Sequence, residues 1–225
     1  IGGQGQDVAT GVAVDDSGNV YLNGDSENGI PTTDIDGPGS FAAKLTPDGS
    51  QLAYATKWHS FPSEAAGIAV TSRGQAIVTG TIGHFNGDRA DGVVEKLDID
   101  GAKTYARRVG GSKHDECCAV VQIYGVAIVT GTTESDDLPR RDALQKHLRG
   151  ARDAFFMRIS KRGRIKKSSY LGGSNDEFAE GIALSGPSVV LVGDTKSKRF
   201  PTTKDAYQSS FEGNEDIFVT ELADL

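Results

Sequence analysis

Short apolar segments recur along the chain at a nearly constant spacing. The segment that begins at Gly11 returns at Gly67, Ala119 and Gly181, so that the spacings are 56, 52 and 62 residues. Self-similarity at such a period is the sequence signature of a repeat architecture. The pattern therefore predicts a single domain of four repeat units, which cover approximately 1–58, 59–109, 110–171 and 172–225.

Each repeat contains up to four apolar segments that are rich in β-branched or aromatic residues and bounded by turn residues, which is typical of β-strands. The first two are apolar at nearly every position, which indicates strands buried on both faces. Short Asp- and Gly-containing connections such as 16–19 and 47–49 predict tight hairpins, although 15–19 and 98–101 also resemble fragments of a calcium loop. We predict an all-β fold, a β-propeller built of four-stranded antiparallel blades.

The fourth repeat ends after its third apolar segment, which leaves two interpretations of the ring. Either residues before Ile1 complete a four-bladed ring, or the chain is a segment of a larger ring of six to eight blades. In both cases the small residues that open the first segments, Gly11, Gly67, Ala119 and Gly181, are expected on the innermost strands, which converge near the axis.

Long connectors separate the second and third apolar segments, and we expect them at the same end of the molecule as the Gly-Gly loops. In the fourth repeat Phe200, Tyr207 and Phe211 are predicted to pack on their own blade. In the third repeat the same prediction applies to Leu138, Leu144 and Leu148, together with a short helical turn near 142–147.

The fourth repeat also contains three characteristic motifs: Leu171-Gly-Gly-Ser-Asn-Asp176, Phe200-Pro-Thr-Thr203 and Asp216-Ile-Phe-Val219. These residues resemble the bacterial SBBP-type beta-propeller repeat family. The first repeat retains Ile30-Pro-Thr-Thr33, whereas the second lacks this element. The resemblance implies a secreted bacterial protein with an extracellular or cell-surface location, and it supplies no catalytic residues.

Charge is distributed unevenly along the chain. The net charge is −7, which does not favour nucleic acid as a partner, but residues 140–167 contain eleven Lys or Arg and only two acids. The candidate binding residues lie in the third long connector and on the hairpin that follows: Arg140, Arg141, Arg149, Arg152, Arg162, Arg164, Lys166 and Lys167. The two groups are expected to project from different ends of one blade. They form either a solvated surface or a docking site for an acidic neighbour or a polyanion. An acidic repeat of another copy of the chain is one such neighbour.

Acidic residues follow the Gly-Gly pairs at the connections between repeats. Asp7, Asp115 and Asp176 are candidates for a shared calcium site, the only cofactor that the sequence suggests. The alternative is that each carboxylate caps backbone amides while the glycines allow a sharp crossing.

Other chemistry-bearing residues lack the spacing of a known site. The four histidines lie apart, and the adjacent Cys117 and Cys118 are interpreted as free thiols, with Cys117 in a small buried slot that alanine fills elsewhere. No segment approaches the roughly 20 apolar residues that cross a bilayer.

These features favour a non-catalytic scaffold that presents loops to a protein or glycan partner in a homo- or hetero-assembly. The alternative is a propeller enzyme that acts on polysaccharide or peptide with carboxylates from the inter-blade loops.

Overall fold

The structure, a computed structural model, describes residues 1–30, 35–60, 63–84 and 89–223. These residues form strands, turns and bends without any helix, so the all-β prediction is confirmed. Within the same ranges there is consequently no helix that could cross a membrane.

Four antiparallel sheets correspond to the four repeats. Sheet 1 pairs in the order β1 (Asp7–Val14), β2 (Val20–Ser26), β5 (Gly39–Leu45) and β6 (Leu52–Ser60), with a small ribbon of β3 (Gly29–Ile30) and β4 (Ile35–Asp36) between β2 and β5. Sheet 2 contains β7 (Ser63–Val70), β8 (Ala76–His84), β9 (Arg89–Leu97) and β10 (Lys103–Val109). Sheet 3 contains β11 (Asp115–Ile123), β12 (Val126–Thr133), β13 (Asp153–Ile159) and β14 (Ile165–Leu171). The described strands of sheet 4 are β15 (Glu177–Ser185), β16 (Ser188–Thr195) and β17 (Asp216–Leu222).

Aspartates hold the tight hairpins between neighbouring strands. Asp15 Oδ1 accepts hydrogen bonds from the amides of Ser17 (2.9 Å) and Asn19 (3.0 Å) in the turn after β1. Asp98 makes the same contacts with the turn after β9. Short side chains that bind the backbone two to four residues later favour turns. The Asp-rich fragments are therefore hairpin turns, as the sequence favours.

The first strand of each sheet packs on the face of the preceding sheet. β7 contacts β1, β2 and β5; β11 contacts β7, β8 and β9; β15 contacts β11, β12 and β13. We call the face that the next sheet covers the front face, and the opposite one the back face. Each internal interface buries an apolar cluster, which between sheets 3 and 4 includes Ile128, Phe156, Ala179, Leu191 and Phe218. Most of the core is thus divided among three interfaces, and a fourth, smaller cluster of Ile30, Phe41 and Ala43 lies on the back face of sheet 1.

Successive first strands approach each other closely. A Cβ atom on Gly11 would lie 3.1 Å from Cγ2 of Ile68, and one on Gly67 would lie 3.2 Å from the backbone nitrogen of Val120. Both distances are shorter than an ordinary van der Waals contact. A side chain at either position would therefore require the neighbouring strand to shift by a few tenths of an ångström.

The two outer faces of the stack are partly exposed. Ile217 and Val219 on the front face of sheet 4 are 77% and 67% exposed, and Val12 and Val14 on the back face of sheet 1 are 66% and 58% exposed. Among the described residues, the four sheets consequently form an open stack and not a closed ring.

The long connectors lie at the end of the molecule that carries the Gly-Gly loops, as expected. The amides of Glu27, Glu134 and Lys196 donate to the carbonyls of the loops in their own repeats. The second connector lies partly outside the described residues, because 85–88 fall there.

The packing predictions for the connectors are confirmed in part. Leu138 is buried, Leu148 packs against the core and Phe200 stacks on Phe218, with ring centroids 4.9 Å apart. The predictions for Leu144 and Tyr207 are wrong, because these side chains point to solvent and are 68% and 107% exposed. The helical turn near 142–147 is also wrong, since that segment makes isolated bridges to β14.

Cys117 and Cys118 are free thiols, as predicted. Cys117 is 2% exposed and occupies the slot that Ala65 and Ala179 fill in the neighbouring repeats. Burial raises the pKa of its thiol, which keeps it in the neutral form.

Candidate functional site: a basic cleft between sheets 2 and 3

The third long connector folds back along the outer edge of sheet 3. The amide of Ser168 donates to the carbonyl of Arg141 (2.8 Å), and the amide of Tyr170 donates to that of Gln145 (3.3 Å). These contacts form two isolated bridges with β14. The connector therefore acts as a partial fifth strand, which carries Arg141 to the hairpin residues of the same repeat.

A buried tyrosine holds the start of this connector. The hydroxyl of Tyr170 donates to the carbonyl of Ser135 (2.8 Å) and accepts from the amide of Leu138 (3.1 Å). Tyr170 and Leu138 are 1% and 2% exposed. These buried contacts fix the start of the connector, and the residues that follow pair with β14.

A cleft of about 520 Å³ lies where this connector, β10 and β14 meet. Its lining residues come from both sheets: Arg107, Pro139, Arg141, Arg164, Ile165 and Lys166. Nε of Arg107 donates to the carbonyl of Gly163 (2.7 Å), which ties β10 of sheet 2 to the hairpin of sheet 3. We call these six residues the basic cleft.

The basic cleft combines four cationic side chains with an apolar floor. Pro139 and Ile165 supply the apolar surface, and among the described residues no carboxylate belongs to the lining. Three of the cations are arginines, whose planar guanidinium groups can form paired hydrogen bonds with carboxylate, sulfate or phosphate oxygens. Chemically, this arrangement can bind an anionic group beside an apolar one.

The remaining predicted binding residues lie outside the cleft. Arg152 pairs with Glu134 (2.7 Å) near the Gly-Gly loops, and the amide of Arg149 caps Asp153. Arg140 donates to the carbonyl of Lys146, Arg162 lies exposed in the hairpin turn, and Lys167 lies 3.9 Å from Asp142. The expected separation of the two groups thus holds for Arg149 and Arg152, whereas Arg141 lies beside the hairpin.

Arg107 is the cationic residue of the cleft that the sequence analysis did not predict. It belongs to the preceding repeat and lies outside the basic segment 140–167. The adjacent cations Arg107 and Arg108, on the fourth strand of their repeat, were the sequence feature that could have indicated it. Its relevance depends on the neighbouring sheet, because it is the packing of sheets 2 and 3 that brings Arg107 to Gly163.

The acidic residues after the Gly-Gly pairs cap backbone amides. Asp115 accepts from the amide of Gly111 (2.7 Å) and from the hydroxyls of Ser135 (2.8 Å) and Thr133. Burial raises the pKa of Asp115, and these hydrogen bonds oppose the rise. In the first repeat Asp7 accepts from the amide of Gly3 (2.7 Å). A hydrogen bond from Ser26, followed by that from Gly3, lowers the pKa of Asp7.

In the fourth repeat the capping residue is Glu177 and not Asp176. The amide of Gly173 (2.8 Å) and the hydroxyl of Thr195 (2.6 Å) donate to the carboxylate of Glu177, which is fully buried. Asp176 precedes it, and its carbonyl accepts from the amide of Lys196. Among the residues that the structure describes, no group of three or more His, Cys, Asp or Glu could hold a metal ion. A calcium site at Asp7, Asp115 or Asp176 stays a prediction.

A second buried carboxylate lies beside Glu177. Asp153 accepts hydrogen bonds from Nε2 of Gln145 (2.7 Å) and from the amides of Arg149 (3.1 Å) and Gly150 (3.0 Å). Burial, assisted by repulsion from Glu177, raises the pKa of Asp153 to about 6. Both acids are closed to solvent and lie beside Gly172, in the connection between sheets 3 and 4.

No family model and no curated protein matches the chain. The resemblance to the SBBP-type repeat therefore stays a prediction. Among solved structures, the fold is similar to that of phage phi92 endosialidase, with a TM-score of 0.55 and 9% sequence identity. The similarity covers 96% of this chain and 35% of the endosialidase chain, so this chain spans about a third of that protein. At this identity the likeness concerns the fold alone.

Proposed function

We propose that the chain is a non-catalytic binding module of β-propeller architecture, and that the basic cleft binds an acidic segment of a partner protein. The observation that carries the proposal is the convergence of Arg107, Arg141, Arg164 and Lys166 around one cleft without a carboxylate in its lining. Like charges held together in this way repel each other, and an anion that binds between them relieves the repulsion more than water and salt do.

The composition of the cleft favours a peptide ligand. Arg and Lys side chains can pair with Asp or Glu of an extended segment, and the floor of Pro139 and Ile165 can accept an apolar side chain between them. The net charge of −7 disfavours nucleic acid and leaves this cleft as a local basic region on an acidic protein. An extracellular or cell-surface location, implied by the family resemblance, belongs to this proposal.

The propeller architecture is supported by the way in which the sheets pack. Each sheet follows its neighbour with the same order of strands, and its first strand lies on the preceding face. The fold similarity to the phage endosialidase supports the same arrangement. In this proposal the described stack is an arc of four blades.

An enzymatic role receives less support from the acidic residues. Hydrolysis of a glycan or peptide would need exposed carboxylates that converge on one face. Asp115 and Glu177 are instead fully buried, and backbone amides and hydroxyls donate to both. Their geometry favours a structural role.

The proposal is tested by titrating the 225-residue chain into a fluorescein-labelled peptide that alternates Glu with Leu, with fluorescence anisotropy as the readout. The triple variant Arg141→Gln, Arg164→Gln, Lys166→Gln is expected to weaken binding at least tenfold. Binding by the unsubstituted chain should also weaken between 0.1 and 1 M salt, since the Debye length falls from about 10 Å to about 3 Å.

A matched control removes the same charge elsewhere. The triple variant Arg73→Gln, Lys198→Gln, Lys204→Gln changes exposed residues distant in sequence from the cleft and should bind almost as well as the unsubstituted chain. Equal losses in the two triple variants would show that only net charge matters. Binding to heparin but not to the peptide would identify an anionic glycan as the partner class and contradict the proposal.

A further inference from the structure

Each internal interface of the stack is formed by the front face of one sheet and the back face of the next. The two outer faces of the stack are one front face, on sheet 4, and one back face, on sheet 1. On the front face of sheet 4, Val219 is 67% exposed. The residues at the corresponding position of sheets 1, 2 and 3 are Ala42, Val94 and Phe156, and they are 1%, 0% and 0% exposed. The position is therefore buried wherever a following sheet covers it.

The back face of sheet 1 shows the same contrast. Val12 is 66% exposed, whereas its counterpart in sheet 3, Val120, is 7% exposed against sheet 2. Ile68, the counterpart in sheet 2, packs against the cluster shared with sheet 1. Leu22 is half-buried, although its counterpart Val129 is fully buried. On β1, sheet 1 thus carries exposed apolar side chains of the kind that the front face of a preceding sheet covers, whereas Phe41 and Ala43 on β5 of the same face are buried beside Ile30.

Polar contacts at the rim give a second, independent indication. In the third repeat Nε2 of Gln145 donates to His147 (2.9 Å) and Asp153 (2.7 Å), and Oε1 accepts from the amide of Gly172 (3.1 Å). Gly172 lies in the connection to the following sheet.

In the fourth repeat Gln208 takes the place of Gln145 and donates the equivalent two hydrogen bonds. Nε2 of Gln208 donates to Ser210 (2.9 Å) and Asp216 (3.1 Å), and the amide of Glu212 donates to Asp216 (2.8 Å). The residue that corresponds to Gly172 at the entrance to sheet 1 is Gly2, in the motif Ile1-Gly2-Gly3. A sheet 1 placed on the front face of sheet 4 would bring the amide of Gly2 to Gln208.

We propose that the front face of sheet 4 binds the back face of sheet 1 of a second copy of this chain, so that copies associate head to tail. The occupant is inferred from continuity, because sheet 1 presents the apolar surface and the glycine amide that sheet 4 lacks at its front. Such an interface is heterologous, and it closes into a ring when the rotation between copies permits. The inference rests on the packing of the sheets and is independent of the basic cleft.

The experiment measures the mass of the 225-residue chain by light scattering after gel filtration over a range of concentrations. The expected result is a mass that rises to a multiple of 23.7 kDa. Val12→Glu and Val219→Glu should each be monomeric, because a charge cannot be buried in an apolar interface without a partner. An unsubstituted chain that is monomeric throughout would overturn the proposal.

Mixing the two variants tests the polarity of the contact. Each variant retains one intact face, and the intact face of one complements the intact face of the other, so an equimolar mixture should form a 1:1 heterodimer. Self-association of either variant alone would show a face-to-face contact between identical sheets and would contradict the head-to-tail arrangement. Ile99→Glu is the control, since Ile99 is 54% exposed in a hairpin turn away from both faces, and it should associate like the unsubstituted chain.

Discussion

Phe156 in the third repeat is fully buried between two sheets, whereas Val219, at the corresponding position of the fourth repeat, is 67% exposed. Both are carried by the third strand of their sheet, which has the same register with the second strand in each case. The difference arises because sheet 4 covers the front face of sheet 3, and no described residue does so for sheet 4.

The long connectors of these repeats differ in the same way. In the third repeat the segment that contains Gln145 lies along β14, and Gln145 is 9% exposed. In the fourth repeat Gln208 makes a matching pair of donor contacts but is exposed to solvent. Equivalent residues thus form equivalent local contacts, while their burial depends on what packs beside them.

The largest effect on stability is expected from truncating Phe156, the buried member of the pair Phe156 and Val219. Phe156→Ala should lower the free energy of unfolding by about 3–5 kcal/mol, because it leaves a cavity between sheets 3 and 4. Val219→Ala should change it by less than about 0.5 kcal/mol. The measurement is urea denaturation of dilute, monomeric protein. Val94→Ala is the matched control, because it makes the same substitution at a buried counterpart of Val219. It should lower the free energy of unfolding by about 2 kcal/mol. Equal effects at Val94 and Val219 would contradict the exposure of the outer face.

A second effect concerns pH and the buried Asp153. Its pKa is raised from 3.8 to about 6, so the native state binds a proton in this window more readily than the unfolded state. The cost of the buried charge is fully present above about pH 6, and stability should increase as the pH falls from 7 towards 4.5. The whole shift corresponds to on the order of 3 kcal/mol, of which about 2 kcal/mol is gained between pH 7 and 4.5.

The variant Asp153→Asn isolates this contribution. It should remove most of the increase between pH 7 and 4.5, whatever its effect on stability at a single pH, because the buried titrating group is gone. Urea denaturation of both proteins at matched pH values measures the difference. A pH dependence that is identical in the two proteins would show that Asp153 titrates as an ordinary exposed carboxyl.

A smaller difference in stability is expected between substitutions in the two long connectors. Gln145→Ala removes partners of the buried Asp153 and of the Gly172 amide and should cost about 1–3 kcal/mol. Gln208→Ala should change the stability of the monomer by less than about 0.5 kcal/mol, since its partners can bind water. Thermal or urea unfolding measures both, and a larger loss at Gln208 would reverse the comparison.

The smallest effect is expected at Tyr207. Its side chain is fully exposed, so Tyr207→Ser should leave the free energy of unfolding unchanged within about 0.5 kcal/mol. Leu138→Ala, in the other connector, should instead cost about 2–5 kcal/mol because Leu138 is buried. Substantial destabilisation by Tyr207→Ser would mean that this ring packs on sheet 4 after all.

The sequence by itself determined the strands, the hairpins and the repeat. Short apolar segments separated by Asp- or Gly-containing turns are local signals. They depend on neighbouring residues and need no distant contact. The close packing at Gly11 and the small slot of Cys117 could also be predicted, because each recurs at a fixed place in the repeat.

Only the tertiary structure decided which charges and apolar side chains meet. Arg107 reaches the basic cleft because sheet 2 packs on sheet 3, and Arg141 reaches it because its connector pairs with β14. Glu177 and not Asp176 caps Gly173, since strand register selects one of two adjacent acids. Tyr207 is exposed although Phe200 in the same connector is packed. Such outcomes depend on the relative positions of elements far apart in the chain, which hydrophobic periodicity does not encode.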